Sequence, residues 1–228
     1  MGIKIWQRRG VNSVVADPAP AHVSGGPSTD ISTHISPKSN RLDIAGADWN
    51  QLGKMVAGCM ACGLHETRTQ TVFGVGSTSA RWVFVGEAPG VDEDRQGEPF
   101  VGRAGKLLNS MLAALGLKRE EVYIANVLKC RPPRNRDPRT EEVAQCEPYL
   151  LRQIEMIHPS IIVALGRHAV HSLLKTDKAL GKLRGMKHDY HGIPLIATYH
   201  PAYLLRSPQE KRKAWDDLKL AKSIVEAA

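Results

Sequence analysis

Residues 82–90 read WVFVGEAPG, an uncharged apolar run that ends in a glycine-containing acidic turn. The run is rich in aromatic and β-branched side chains, which is typical of a strand buried on both faces. In open sheets of parallel strands, ligands bind beyond the carboxyl ends of the strands, where this turn would lie. The stretch therefore predicts one strand of a buried sheet and one wall of a binding site.

Three further apolar runs have the same character, and segments with apolar residues at helical spacing separate or follow the four runs. Strands that alternate with helices form right-handed crossovers and a sheet covered on both sides. The sequence thus predicts a three-layer α/β/α domain with a central four-stranded, mainly parallel sheet. The further runs are residues 122–125, 161–164 and 195–198, and the helical segments are residues 102–115, 140–157, 167–174 and 209–225.

The composition points to an anionic partner. The 228 residues include 31 Lys and Arg against 23 Asp and Glu, a net charge of +8 that suits nucleic acid. Residues 1–43 are rich in Pro, Ser and Gly and are predicted to be a disordered tail before a folded domain at 44–228, although a mitochondrial presequence stays open. No export signal or membrane span is recognised, so we expect a soluble cytoplasmic monomer, associated with the nucleoid in a prokaryote, with no membrane partner.

The four cysteines could converge on one centre. Cys59 and Cys62 form a pair with a two-residue gap, whereas Cys130 and Cys146 are widely separated. Zinc commonly binds two tight cysteine pairs, and iron–sulfur clusters accept a pair plus distant single ligands, so the spacing favours a cluster. A redox Cys-x-x-Cys, a zinc site and four unrelated buried thiols remain alternatives.

Two segments are suited to contact with a nucleic-acid backbone. Residues 129–139 contain five basic residues, one acid and three prolines, a composition that fits phosphate binding, although a solvated basic face would look the same. Residues 200–206 read HPAYLLR and follow the last predicted strand, where adjacent leucines could unstack a base. The predicted DNA contacts are Arg131, Arg134, Arg136, Tyr203, Leu204, Leu205 and Arg206.

Other candidate site residues follow the predicted strands. Residues 87–94 hold four carboxylates, which could bind a metal, position water or balance a cation. Phe100 lies on a glycine-rich turn and could be a core residue or a stacking platform. His168 and His171 lie three apart in a helical segment and are interpreted as ordinary core or surface residues. No P-loop or dinucleotide-binding fingerprint is present.

Residues 86–90, 99–102 and 200–206, together with Asn126 and the four cysteines, closely resemble the family-4 uracil-DNA glycosylases. The resemblance covers about residues 50–226. It implies a 4Fe-4S cluster bound by Cys59, Cys62, Cys130 and Cys146. It also implies a base-excision repair enzyme that flips uracil out of single- or double-stranded DNA and hydrolyses its N-glycosidic bond, leaving an abasic site.

The same resemblance implies roles for individual residues. Phe100 would stack on the uracil and Asn126 would read its amide edge. His200 would stabilise the departing uracil anion through O2. Glu87 would activate water or stabilise the sugar cation, and Glu93 would exclude the methyl group of thymine.

The chain departs from the pattern at two positions. Related enzymes often have a carboxylate at the position of Ala88 and a serine at the position of Ala202. Ala88 itself would also contact the substrate. The matched motifs contain no lysine for strand cleavage, so a monofunctional enzyme is expected. The rival hypotheses are a non-catalytic iron–sulfur module that binds nucleic acid and a zinc-bound nucleotide-binding domain.

Overall fold

The computed structural model describes residues 39–227. All but the last five residues of the predicted tail, 1–43, therefore lie outside the described residues. The first described element is helix α1 (Ser39–Gly46), which spans the predicted domain start at Ile44. Ile44 is buried, so apolar packing has begun by this residue.

The sheet has six strands in the order β1-β3-β2-β4-β6-β5. The four central strands are parallel and coincide with the four predicted apolar runs, whereas β1 and β5 pair antiparallel at the two edges. The predicted strand number was therefore too low. β1 is only two residues long, and β5 has the polar sequence KHDY, so neither has a buried apolar run. The strands are β1 (Val75–Gly76), β2 (Trp82–Gly86), β3 (Tyr123–Asn126), β4 (Ile161–Leu165), β5 (Lys187–Tyr190) and β6 (Ile193–Thr198).

Helices cover both faces of the sheet, which confirms the three-layer α/β/α prediction. Val83 and Val85 point toward the face covered by α5 and α6, and Phe84 points toward α4 and α9. This alternation follows from the two-residue period of a strand. The remaining helices are α2 (Trp49–Ala57), α3 (Val91–Gln96), α4 (Arg103–Leu115), α5 (Thr140–Ile157), α6 (Arg167–Leu174), α7 (Leu180–Leu183), α8 (Pro201–Arg206) and α9 (Lys211–Glu226).

A third apolar cluster involves α1, α2 and α5. It contains Leu52, Val56 and Tyr149 together with Cys130 and Cys146. Within the described part of the chain, no helix is both long enough and apolar enough to cross a membrane.

The strand order reverses between β2 and β4. The chain leaves β2 toward β3 on one side and leaves β4 toward β6 on the other. Loops that diverge in this way open a crevice at the carboxyl ends of the two strands. The topology therefore puts a ligand site beside the turn that follows Gly86.

Candidate active site and metal centre

An open cleft of about 450 Å³ lies at the carboxyl ends of the parallel strands. Glu87 follows β2, Asn126 ends β3, and His200 precedes α8 after β6. Phe100 reaches the same cleft from the loop before α4. The structure thus brings together the four residues to which the sequence analysis gave the main chemical roles. Ala88 and Glu93 also line the cleft, as do Ala202, Tyr203 and Arg206.

Gly86 allows two of these side chains to approach the strand closely. Gly86 and Asn126 are partners in the parallel pairing of β2 with β3. A Cβ atom on Gly86 would lie 2.4 Å from Asn126 Oδ1 and 2.7 Å from Phe100 Cζ, well inside van der Waals contact. The missing side chain therefore lets an amide and an aromatic ring border the same narrow space.

Phe100 belongs both to the core and to the cleft. Its backbone is left-handed, with φ of 55°, and its side chain is 6% exposed within the cluster below α4. Its ring lies 5.5 Å from the His200 ring, centroid to centroid, with 28° between the planes. The interpretation of Phe100 as a core residue is therefore confirmed, and its use as a stacking platform stays a prediction.

The backbone and the burial of His200 fix its protonation. Its Nδ1 accepts a hydrogen bond of 3.1 Å from the Ala202 N–H. Burial, with a smaller contribution from Arg206, lowers the pKa of His200 to about 4. The ring is therefore neutral near pH 7, and because Nδ1 is an acceptor, the proton is assigned to Nε2. Nε2–H is the group that can donate to a ligand.

Glu87 lies next to two residues that the sequence analysis did not select. One donor atom each from Glu87, Asp137 and His168 lies within 4.8 Å of the others, and His168 Nε2 is 3.9 Å from Glu87 Oε2. Burial, followed by repulsion from Asp137, raises the pKa of Glu87 to about 7, whereas Arg167 opposes the shift. His168, interpreted from the sequence as an ordinary core or surface residue, thus faces two carboxylates at the edge of the cleft. Its position directly after β4 was the signal that could have identified it.

Glu93 holds two turns of the cleft together. Its Oε2 accepts from the Gly90 N–H at 3.1 Å, and its Oε1 accepts from the N–H groups of Val101 and Gly102 at 3.0 and 3.1 Å. Both oxygens are engaged by the backbone, so Glu93 positions the two walls of the cleft. Exclusion of the thymine methyl group by Glu93 stays a prediction.

The HPAYLLR segment presents some of its predicted DNA contacts and buries one. Tyr203 and Leu205 are each 37% exposed, and Arg206 is also exposed. Leu204 is 1% exposed, so its prediction as a DNA contact was wrong. Consecutive residues of a helix point about 100° apart, and in α8 this turns Leu204 toward the core and Leu205 toward solvent.

The three arginines predicted to bind DNA differ in their engagement. Arg134 is exposed on the loop. Arg131 donates from Nε to Asn135 Oδ1 at 2.7 Å. Arg136 forms a two-point ion pair with Glu142 of α5, with Nη1 2.9 Å from Oε2. Arg136 therefore ties the loop to α5, which restricts its use as a phosphate ligand.

The four cysteines line one small enclosed cavity. Burial is the main cause that raises the thiol pKa values of Cys62, Cys130 and Cys146, the last to about 12. Arg68 Nη1 donates to Cys130 Sγ at 3.1 Å, and the backbone N–H of Lys129 donates to Cys146 Sγ at 3.2 Å. Such donors stabilise thiolates, so this all-sulfur donor set fits a thiolate-bound metal centre.

Comparisons with known proteins agree with this geometry. The family model described as "Uracil DNA glycosylase superfamily" matches residues 73–219. A "Type-4 uracil-DNA glycosylase" of Archaeoglobus fulgidus is 49% identical over 72% of this chain and 86% of its own length. Proteins with the same name from Thermotoga maritima and Saccharolobus solfataricus are 48% and 43% identical over 76% and 73% of this chain and 93% and 82% of their own lengths. The chain belongs to the uracil DNA glycosylase superfamily.

Proposed function

We propose that this chain is a monofunctional uracil-DNA glycosylase that flips uracil out of DNA and hydrolyses its N-glycosidic bond in base excision repair. The observation that carries the proposal is the convergence of Glu87, Phe100, Asn126 and His200 on one cleft at the switch point of the sheet. A module that only binds nucleic acid would not need this set of groups.

Recognition of the base is assigned to Phe100 and Asn126. The Phe100 ring and the Asn126 carboxamide come together beside Gly86 and both line the cleft, so a flat heterocycle in the cleft could contact the two groups at once. The Asn126 side chain can donate to uracil O4 and accept from N3–H. Cytosine presents a donor and an acceptor in the opposite order at these positions, so it leaves both groups of the buried amide unpaired.

Departure of the base is assigned to His200. As the glycosidic bond breaks, negative charge develops on the uracil, including O2. A neutral Nε2–H donor can stabilise that charge without first losing a water shell, because burial keeps the ring desolvated and uncharged. His200 is the N-cap of α8, and the hydrogen bond from the Ala202 N–H holds its ring in place before the substrate binds.

Glu87 is assigned to the sugar side of the reaction. When ionised, its carboxylate can orient a water molecule toward C1′ and offset the positive charge of the oxocarbenium-like sugar. Because Ala88 supplies no carboxylate, Glu87 takes the task that the neighbouring position performs in related enzymes. The pKa of Glu87 near 7 implies that the rate rises as the pH increases through neutrality.

The metal centre is assigned as a 4Fe-4S cluster ligated by the four cysteines. Four ligands of one tetrahedral zinc ion would lie about 3.8 Å apart for Zn–S bonds of about 2.3 Å. Among residues 39–227, the only group of three or more candidate ligand atoms within 4.8 Å is that of Glu87, Asp137 and His168. The wider spread of the sulfurs supports a cluster over a single zinc ion. When bound, the cluster would brace the loop between Cys130 and Cys146.

DNA would reach the cleft along a basic, partly apolar rim. Arg134 and Arg206 can contact phosphates, and Tyr203 and Leu205 can fill the space that the flipped base leaves. Such a substrate implies that the protein acts where the DNA of the cell lies, which in a prokaryote is the nucleoid in the cytoplasm.

The test uses cluster-loaded protein, prepared without oxygen, and end-labelled single- and double-stranded oligonucleotides that contain one uracil. Matched thymine and cytosine oligonucleotides are the controls. We expect cleavage at uracil only, and only after alkali, since alkali breaks the strand at abasic sites. Retained DNA with no alkali-sensitive product would favour the binding module, and cleavage without alkali would contradict the monofunctional assignment.

A further inference from the structure

A charged cluster connects the cysteine-flanked loop to the acidic residue of the cleft. Asp137 lies on the loop between Cys130 and Cys146, and Arg167 and His168 form the first turn of α6. Arg167 Nη2 lies 3.2 Å from Asp137 Oδ2, and His168 Nε2 lies 3.3 Å from Asp137 Oδ1. Glu87 completes the group on the side of the cleft.

We propose that Asp137 and Arg167, with His168, are positioning residues that control the charge of Glu87 in the cleft. The proposal rests on the proposed function, because it assigns the regulation of the carboxylate to which that function gives a catalytic role. It extends that function by linking the shape of the cysteine-flanked loop to the protonation state of a catalytic group.

The Asp137 carboxylate and the Arg167 guanidinium have opposite effects on the ionisation of Glu87. Glu87 is partly buried, and a second carboxylate close to it disfavours its ionisation. The positive charge of Arg167 favours ionisation. Any displacement of the loop moves Asp137 and therefore changes the balance between these two influences.

His168 contributes by holding Arg167. Arg167 Nη2 lies 2.9 Å from His168 Nε2, and because a guanidinium can only donate, this unprotonated nitrogen is the acceptor and its 3.3 Å approach to Asp137 Oδ1 is not a hydrogen bond. Burial is the main cause of a lowered pKa at His168, with Asp137 acting in the opposite direction, and this shift favours the neutral ring that the contact requires. The Arg167 guanidinium already supplies positive charge beside Glu87, Asp137 and His168. These three side chains therefore have little need for a divalent cation.

The other charged groups around the cleft do not take over the influence of Asp137 and Arg167 on the charge of Glu87. Glu93 is held by three backbone N–H groups, and Arg136 is paired with Glu142. His200 is neutral above about pH 4. Arg206 lines the cleft from α8, and its positive charge contributes to the lowered pKa of His200. Titration near pH 7 is therefore assigned to Glu87.

The test compares two substitutions that should have opposite effects. Asp137→Asn removes the repelling charge, so it should lower the pKa of Glu87 and move the acidic limb of single-turnover excision to lower pH. Arg167→Gln removes the attracting charge, so it should move the limb to higher pH. His168→Gln keeps an acceptor for Arg167 and should leave the limb closer to the wild-type position than His168→Phe does. Asp216→Asn, whose ion pair with Lys219 lies on α9, is the matched control.

A second readout does not depend on activity. Carbon-13 NMR of the glutamate carboxyl groups, with the Glu87 signal assigned by its loss in Glu87→Gln, measures the titration of Glu87 directly in the full-length holoprotein. Opposite displacements of this titration in Asp137→Asn and Arg167→Gln are the expected result. An unchanged Glu87 titration in both variants, or displacements of the same sign, would overturn the inference even if uracil excision is normal. Opposite displacements in a protein that excises no uracil would support the charge coupling while overturning the proposed function.

Discussion

The cleft and the cysteine centre differ in the exposure of their hydrogen-bonding groups. In the cleft, Phe100, Asn126 and the Nε2–H of His200 border a space that is open to solvent. In the cysteine centre, the sulfurs of Cys130 and Cys146 are enclosed by apolar side chains and receive hydrogen bonds from within the chain. The difference teaches that the first region is built to recognise a ligand and the second to fix the shape of the chain.

A buried lysine connects the two regions. The backbone N–H of Lys129 donates to Cys146 Sγ, and its Nζ donates to the carbonyl oxygen of Asn126 at 3.1 Å and to Gln153 Oε1 at 2.6 Å. Gln153 in turn donates to the Tyr123 hydroxyl at 2.8 Å. The strand end that carries Asn126 is thus hydrogen bonded to the surroundings of the cysteines. Each substitution below is therefore best measured for both excision and the visible absorption of the cluster.

The largest expected effect comes from Leu204, which is buried in the core although it lies in the HPAYLLR segment at the edge of the cleft. Leu204→Ala should lower the free energy of unfolding by about 2 to 5 kcal/mol, because it leaves a cavity beneath α8. Leu205→Ala, at the exposed neighbouring position, should change that free energy by less than about 0.5 kcal/mol and should slow excision from duplex DNA more than from single strands. Denaturant unfolding and paired excision assays measure this. Equal losses of stability in the two variants would contradict the assignment of Leu204 to the core and of Leu205 to DNA contact.

His200→Ala tests the chemistry of the cleft alone. We expect single-turnover excision to slow by about 100-fold to 1000-fold, because a donor to the developing anion is lost. DNA affinity and the visible absorption of the cluster should hardly change. His171→Ala, on the face of α6 where the ring contacts the Lys178 carbonyl, is the matched control. A parallel fall in affinity and rate would indicate that His200 binds DNA in the ground state instead.

Asn126→Asp tests base reading at the strand end that Lys129 supports. A carboxylate can accept from the cytosine amine but cannot donate to uracil O4. We expect uracil excision to fall by about tenfold to 100-fold, for a loss of about 1.5 to 3 kcal/mol, while excision of cytosine becomes detectable. Competition between labelled uracil and cytosine oligonucleotides measures the preference. An unchanged preference would remove Asn126 from base recognition.

The smallest effects are expected from substitutions of Arg134 and Arg136, which lie on the loop between Cys130 and Cys146. Arg134→Gln should weaken DNA binding and reduce the salt slope of the binding constant by about 1, since one phosphate contact is lost. Arg136→Gln should chiefly lower stability, because buried Glu142 loses its ion-pair partner. Binding titrations at several salt concentrations, with thermal unfolding of the same proteins, separate the two. The division fails if Arg136→Gln has the larger salt effect.

The sequence was sufficient to predict the layers and the position of the cleft. Each of the four central strands is a buried apolar run, and the residue types that follow these runs are polar or glycine, so strand ends and site residues could be recognised together. The edge strands were not predictable in the same way. β5 is stabilised by pairing with β6, and Tyr190 is its one buried side chain, so the strand has no apolar run to recognise.

The charge cluster around Glu87 could not be inferred from local sequence. Glu87, Asp137 and His168 come from three separate segments that only the parallel order of β2 and β4 brings together. Likewise, six residues in α8 are too few for helical periodicity to reveal which leucine is buried. The partner of Arg136 was also hidden, because the sequence analysis interpreted residues 140–157, which include Glu142, only as a helical segment.

The order of the elements along the chain has a consequence for biosynthesis. Ribosomes release a chain from its N-terminus, and domains begin to fold during synthesis. All four cysteines precede β4 and β6 along the chain, and His200 follows only after the last strand of the sheet. If the four cysteines hold a cluster as proposed, the nascent protein can acquire it before His200, the proposed donor to the departing base, is added to the cleft. Loading of the cofactor can thus precede the first encounter of a competent enzyme with chromosomal DNA.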